Sequence, residues 1–148
     1  MGGNMALFDE WQGFLDNLRD LCHHRLQKPD RAKYRSLQGI VDDVIDKLKH
    51  PDACKAVIHA IDTANRNPDN QVVNGLLERE IKFFNELIAN SRGYGGEISM
   101  TEEEVNDGLG AGETIKDSFE DLLDNLPEWV KKLLRILNEL LSIIRGGN

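Results

Sequence analysis

The fold is decided by the stretch Pro127-Glu128-Trp129-Val130-Lys131-Lys132-Leu133-Leu134-Arg135-Ile136-Leu137-Asn138-Glu139-Leu140-Leu141-Ser142-Ile143-Ile144-Arg145. Val130, Leu133, Leu134, Leu137, Leu140, Leu141 and Ile144 recur at three- and four-residue steps. At helical pitch they form one stripe. Ile136 and Ile143 widen one edge of it, and Lys131, Lys132, Arg135, Asn138, Glu139, Ser142 and Arg145 fill the opposite side. The apolar arc takes up roughly half the circumference, wider than a one-sided surface helix needs. Such a helix must be covered by the rest of the chain, by a copy of itself or by a partner helix. Trp129, Leu133, Ile136, Leu137, Leu140, Ile143 and Ile144 therefore make up the candidate interaction surface.

Reading back from this helix, Thr114 is placed to cap a fifth helix with Ile115, Phe119, Leu122, Leu123 and Leu126 inside. Pro127 divides the two, so residues 114–148 are expected to form a C-terminal helical hairpin or a kinked rod. Ahead of it, residues 92–113 carry Gly93, Gly95, Gly96, Gly108, Gly110 and Gly112 and read as a glycine-rich linker. Inside that linker, Thr101 followed by Glu104 is a capping-box pattern, which predicts a short helix around Glu102 to Asn106.

Residues 1–91 show four more helical patterns. Met5 to Gln27 puts Leu7, Phe8, Trp11, Phe14, Leu15, Leu18, Leu21, Cys22 and Leu26 on one face, and Pro29 stops it. Arg31 to Lys49 carries Tyr34, Leu37, Ile40, Val41, Val44, Ile45 and Leu48, with Gly39 on its polar side. Pro51 opens a third helix whose inner face is small: Ala53, Cys54, Val57, Ala60, Ile61 and Ala64. A fourth, from about Gln71 to Ser91, has a broad face of Val72, Val73, Leu76, Leu77, Ile81, Phe83, Phe84, Leu87 and Ile88. No segment alternates as a half-buried strand does. The expectation is an all-α protein: an antiparallel bundle of about four helices, a linker and a hairpin.

Composition bounds what such a bundle does. The 148 residues are 40% hydrophobic and 30% charged, enough for a core without disulfides or metal. A net charge of -8 with no basic cluster excludes a nucleic-acid surface on electrostatic grounds. Cys22 and Cys54 are too few for a disulfide scaffold, and no signal-peptide pattern opens the chain, so a cytoplasmic setting is expected. Lys131, Lys132, Arg135 and Arg145 would let the last helix lie on a membrane. The acidic remainder favours burial instead.

The chemistry-bearing residues mostly have bland readings. Cys22, His23, His24, His50, Cys54 and His59 suit zinc by type, but helical geometry spreads them. Gly108 to Gly112 ends in Glu113 where a phosphate-binding loop needs lysine. No nucleophile sits in a strand-to-helix elbow. Neither a catalytic residue, a metal site nor a cofactor is expected. Two charges stand out. Arg25 and Glu80 each fall on an otherwise apolar stripe, and a buried charge wants a partner, so they are expected to pair.

The residues thus favour a non-catalytic helical interaction or self-association module, with a second copy or a partner helix covering the last helix. The alternative is a small-molecule- or metal-binding bundle, an enzyme among the options, with Glu80 lining the site.

Overall fold

The computed structural model describes residues 2–27, 35–67, 76–90 and 100–146. Among them are six α-helices and no strand, so the protein is all-α as its periodicity predicts. The helices are α1 (Gly2–Leu26), α2 (Arg35–Lys49), α3 (Pro51–Arg66), α4 (Leu76–Asn90), α5 (Glu102–Glu120) and α6 (Glu128–Gly146), with one 3-10 turn at Leu123–Asn125.

α1 is the hub. It packs on all five other helices, and α2, α6, α5 and α4 touch one another in that order around it. Its heptad-like run of large apolar residues explains the position. Trp11, Phe14, Leu15, Leu18, Leu21, Cys22 and Leu26 are all at most 1% exposed. The ring of Trp11 stacks on Phe14 at 5.9 Å and meets Phe119 of α5 edge-on at 5.6 Å, both favourable aromatic geometries. Polar rungs fix the register of α1 against α2: His23 meets Asp42 at 2.6 Å, Arg19 donates to Asp46 at 2.8 Å and Lys49 to Asp16 at 2.5 Å. The residue numbers run in opposite directions, so the two helices are antiparallel.

α3 begins where Pro51 predicts, with the Nδ1 atom of His50 accepting from the Asp52 amide at 3.2 Å. Its small face, Ala53, Cys54, Val57, Ala60, Ile61 and Ala64, is buried as expected, and Ile58 joins it. Burial pushes the Cys22 thiol up to about 12, with the Asp42 carboxylate adding to the shift, and also raises Cys54. Both cysteines are free.

The linker expectation needs correcting. Residues 102–113 are not a connector but the first two-thirds of α5. The capping box is present as read, with Thr101 Oγ1 accepting from the Glu104 amide at 3.2 Å. The helix it starts simply does not stop. Thr114, expected to open a separate helix, lies inside α5 and donates its hydroxyl to the Gly110 carbonyl at 3.0 Å. Gly108 and Gly112 are there for proximity, not for flexibility. A Cβ on Gly112 would lie 2.8 Å from Leu141 Cδ1 and 3.2 Å from Leu18 Cδ1, and one on Gly108 would collide with Leu21. α5 therefore lies close against both α1 and α6. Residues 92–99 of the expected linker lie outside the described residues.

After Glu120 the chain turns through Leu122–Leu126, and Pro127 accepts the first amide bonds of α6 from Val130 and Lys131 at 3.1 Å. α5 and α6 run antiparallel, as the hairpin reading requires, but they share one hydrophobic cluster with α1 to α4.

Candidate interaction surface

The seven residues expected to make up the interaction surface divide into two sets. Leu133, Leu137, Leu140 and Ile144 are between 1% and 8% exposed and face the chain's own core, with Val130, Leu134 and Leu141. Trp129, Ile136 and Ile143 remain 45%, 41% and 47% exposed. The apolar arc of α6 is wider than α1, α2 and α5 together cover, and its uncovered edge is a strip with one residue every seven. Seven residues make nearly two full turns, so the three side chains line up along the helix with a drift of about 20° per step.

α2 borders this strip on one side. The C-terminal part of α2 and the N-terminal half of α6 enclose a groove of about 660 Å³, lined by Asp46, Lys47, His50 and Asp52 together with Trp129, Lys132, Leu133 and Ile136. Ile40, expected in the buried stripe of α2, is instead 44% exposed. α2 passes α6 antiparallel, so Ile40 lies toward the Ile143 end of the strip. On the edge of the strip opposite Leu133 and Leu140 stand Lys132 and Glu139, both exposed. Among the described residues neither of these two makes an ion pair.

The expected pairing of Arg25 with Glu80 is not formed. Arg25 is 3% exposed, as an inner-face charge should be, but it is taken by other partners. Its Nε donates to the Ile144 carbonyl at 3.3 Å and its Nη2 to the Arg145 carbonyl at 3.4 Å, while Nη1 forms an ion pair with Glu102. Carbonyls at the end of a helix lack partners within it and carry its negative dipole, so a guanidinium is a natural cap there. Glu80 is half-buried and accepts from the Ser118 hydroxyl at 2.6 Å, joining α4 to α5. The helical wheel of either segment puts a charge on its apolar stripe; Arg25 is buried and Glu80 half-buried. The wheel could not show which helix end the charge would meet.

α4 is also less buried than its sequence suggests. Leu77, Ile81 and Ile88 are buried, but Phe83 is 60% exposed and Leu87 36%. Asn85 takes the place against α1, accepting from Asn17 at 2.5 Å and donating to Glu10 at 2.8 Å. The polar seam turns α4 so that Phe83 points outward. Val72, Val73 and the flanking turn residues lie outside the described set.

A smaller groove of about 350 Å³ beside α4 is lined by Phe84, Leu87, Asn106, Asp107, Glu113, Asp117 and Arg145, among others. Arg145 is held there by Glu113. Glu80 lines neither this groove nor the one beside α2. Among the described residues no three His, Cys, Asp or Glu side chains converge as metal ligands would.

Among the described residues, fold and surface define an all-helical bundle with Trp129, Ile136 and Ile143 exposed along its last helix. The chain matches no protein-family model, and comparison with curated proteins and with solved structures finds no match.

Proposed function

We propose that this protein is a non-catalytic interaction module that docks an amphipathic helix along the Trp129–Ile136–Ile143 strip of α6. The observation that carries the reading is the exposure of those three large apolar residues in a straight line, beside a groove with apolar walls. Single exposed apolar residues are ordinary on any surface, but aligned ones beside a cleft mark interaction sites. A helix recognises such a strip with its own residues at three- and four-residue spacing. Free, buried Cys22 and Cys54 fit a reducing compartment, and we place the module in the cytoplasm. Among the described residues no helix is long and apolar enough to cross a membrane.

Iodide quenching of tryptophan fluorescence tests the reading directly. Trp11 is 1% exposed and out of reach of iodide, so the quenchable signal belongs to Trp129. An idealised amphipathic helical peptide, with Leu at three- and four-residue steps and Lys and Glu elsewhere, should protect Trp129 from iodide when added in excess. Ile136→Asp should abolish that protection while leaving the circular dichroism unchanged. If the peptide gives no protection at any concentration, or anionic vesicles protect Trp129 in its place, helix docking is the wrong function for this strip.

A further inference from the structure

The strip has a symmetry that names its occupant, given the reading of α6 as a docking surface. Trp129 lies seven residues before Ile136, and Ile143 seven after it. Reversing the strip end to end about Ile136 therefore superposes apolar on apolar. The polar flank of the strip has the matching property in charge. Lys132 lies four residues before Ile136 and Glu139 three after, so reversal puts a lysine within one residue of where a glutamate stood. We propose that the helix occupying the strip is α6 of a second copy of this chain, running antiparallel about a two-fold axis through Ile136.

The geometry follows from that axis. A two-fold perpendicular to a pair of antiparallel helices brings the same flank of each helix to the same side of the interface, as every isologous contact must. Ile136 meets its own copy at the axis, and Trp129 lies opposite the second copy's Ile143. Lys132 lies opposite the second copy's Glu139, and the symmetry makes that contact twice. Both charges are exposed and without an ion pair among the described residues, so they are available for it. The contact line from Trp129 to Ile143 is about 21 Å long at 1.5 Å per residue. A parallel pair would turn the Lys132–Glu139 flank of each copy against the Leu133–Leu140 edge of the other and would lose the match. Charge complementarity of this kind selects orientation more than it adds affinity.

Sedimentation equilibrium of the full chain, from micromolar to several hundred micromolar, reads the association. A reversible dimer is expected. Lys132→Glu and Glu139→Lys should each weaken it about tenfold, since each change sets two like-charged pairs face to face. The double variant, Lys132→Glu with Glu139→Lys, should return to within about twofold of the original, because the pairs are restored with their signs exchanged. Orientation has its own readout. Under mild oxidation, a Trp129→Cys chain mixed with an Ile143→Cys chain should form a disulfide-linked heterodimer, and neither should link to itself. Cys22 and Cys54 are 0% exposed and stay out of this reaction.

A dimer indifferent to both single reversals, or Trp129→Cys linking to itself, overturns the antiparallel pairing. A chain that stays monomeric throughout removes the second copy as occupant. In that case Trp129 protected from iodide by the idealised helix leaves helix docking in place, whereas Trp129 open to iodide under all conditions removes both.

Discussion

Gly39, Gly108, Gly110 and Gly112 all lie inside helices, where glycine is about 1 kcal/mol less favourable than alanine. Their surroundings differ, and so does what alanine would do. Nothing lies within 4 Å of a Cβ on Gly39, and one on Gly110 would meet only the Arg145 guanidinium at 3.5 Å or more. Alanine at either position should stabilise the protein by about 0.5–1 kcal/mol through helix propensity and a less flexible unfolded chain. At Gly108 and Gly112 the new methyl would press on Leu21, or on Leu141 and Leu18, side chains already fixed in the core. Overpacking of that kind typically costs 1–3 kcal/mol, more than propensity returns. Urea unfolding of the four single alanine variants should therefore split two against two. A stabilised Gly112→Ala would show that α5 and α1 are less closely packed than described.

Within α6 the boundary between core and strip runs between adjacent residues. Leu137 is 3% exposed and Ile136 is 41% exposed. Leu137→Asp places an unpaired carboxylate among Leu and Ile side chains and should cost upward of about 3 kcal/mol, enough to unfold a marginal domain. Ile136→Asp should change stability by no more than about 0.5 kcal/mol, because the position is open to water. Circular dichroism melts of the pair distinguish the two faces of the helix. A folded Leu137→Asp protein would mean that the broad apolar arc is covered by something other than this chain. The same element shows why the seven-residue surface expected from sequence was only half legible. Amphipathicity reports which residues avoid water, and it does so equally for residues facing the core and for residues facing a partner.

Across the molecule, Arg25 holds three helix ends together. It belongs to the last turn of α1, caps the final carbonyls of α6 and pairs with Glu102 at the start of α5. Hydrogen bonds from a charged donor are worth about 1.5–3 kcal/mol when the donor is lost from a buried place. Arg25→Met should accordingly destabilise the protein by about 2 kcal/mol. Glu102→Gln should cost much less, because Glu102 is largely open to water and its ion pair is screened. A double-mutant cycle should give measurable coupling between Arg25 and Glu102 and none between Arg25 and Glu80. Coupling to Glu80 would restore the pairing that the inner faces of α1 and α4 suggest.

The all-helical class, the start of α3 at Pro51, the Thr101–Glu104 cap and the buried faces of α1 and α3 follow from the sequence alone. Each is a matter of local spacing, capping or proline chemistry, which acts over a few residues. Three features were settled only in the tertiary structure. Gly108 and Gly112 read as flexible until α1 and α6 are seen pressing on α5, since loss of a Cβ serves close packing as well as it serves a loop. The capping role of Arg25 could not be read because the Ile144 and Arg145 carbonyls it meets lie more than a hundred residues away, and carbonyls carry no sequence signal. Trp129, Ile136 and Ile143 are distinguished from Leu133, Leu137, Leu140 and Ile144 only by the width of the neighbours that cover α6. How much of an apolar arc stays bare depends on the helices beside it.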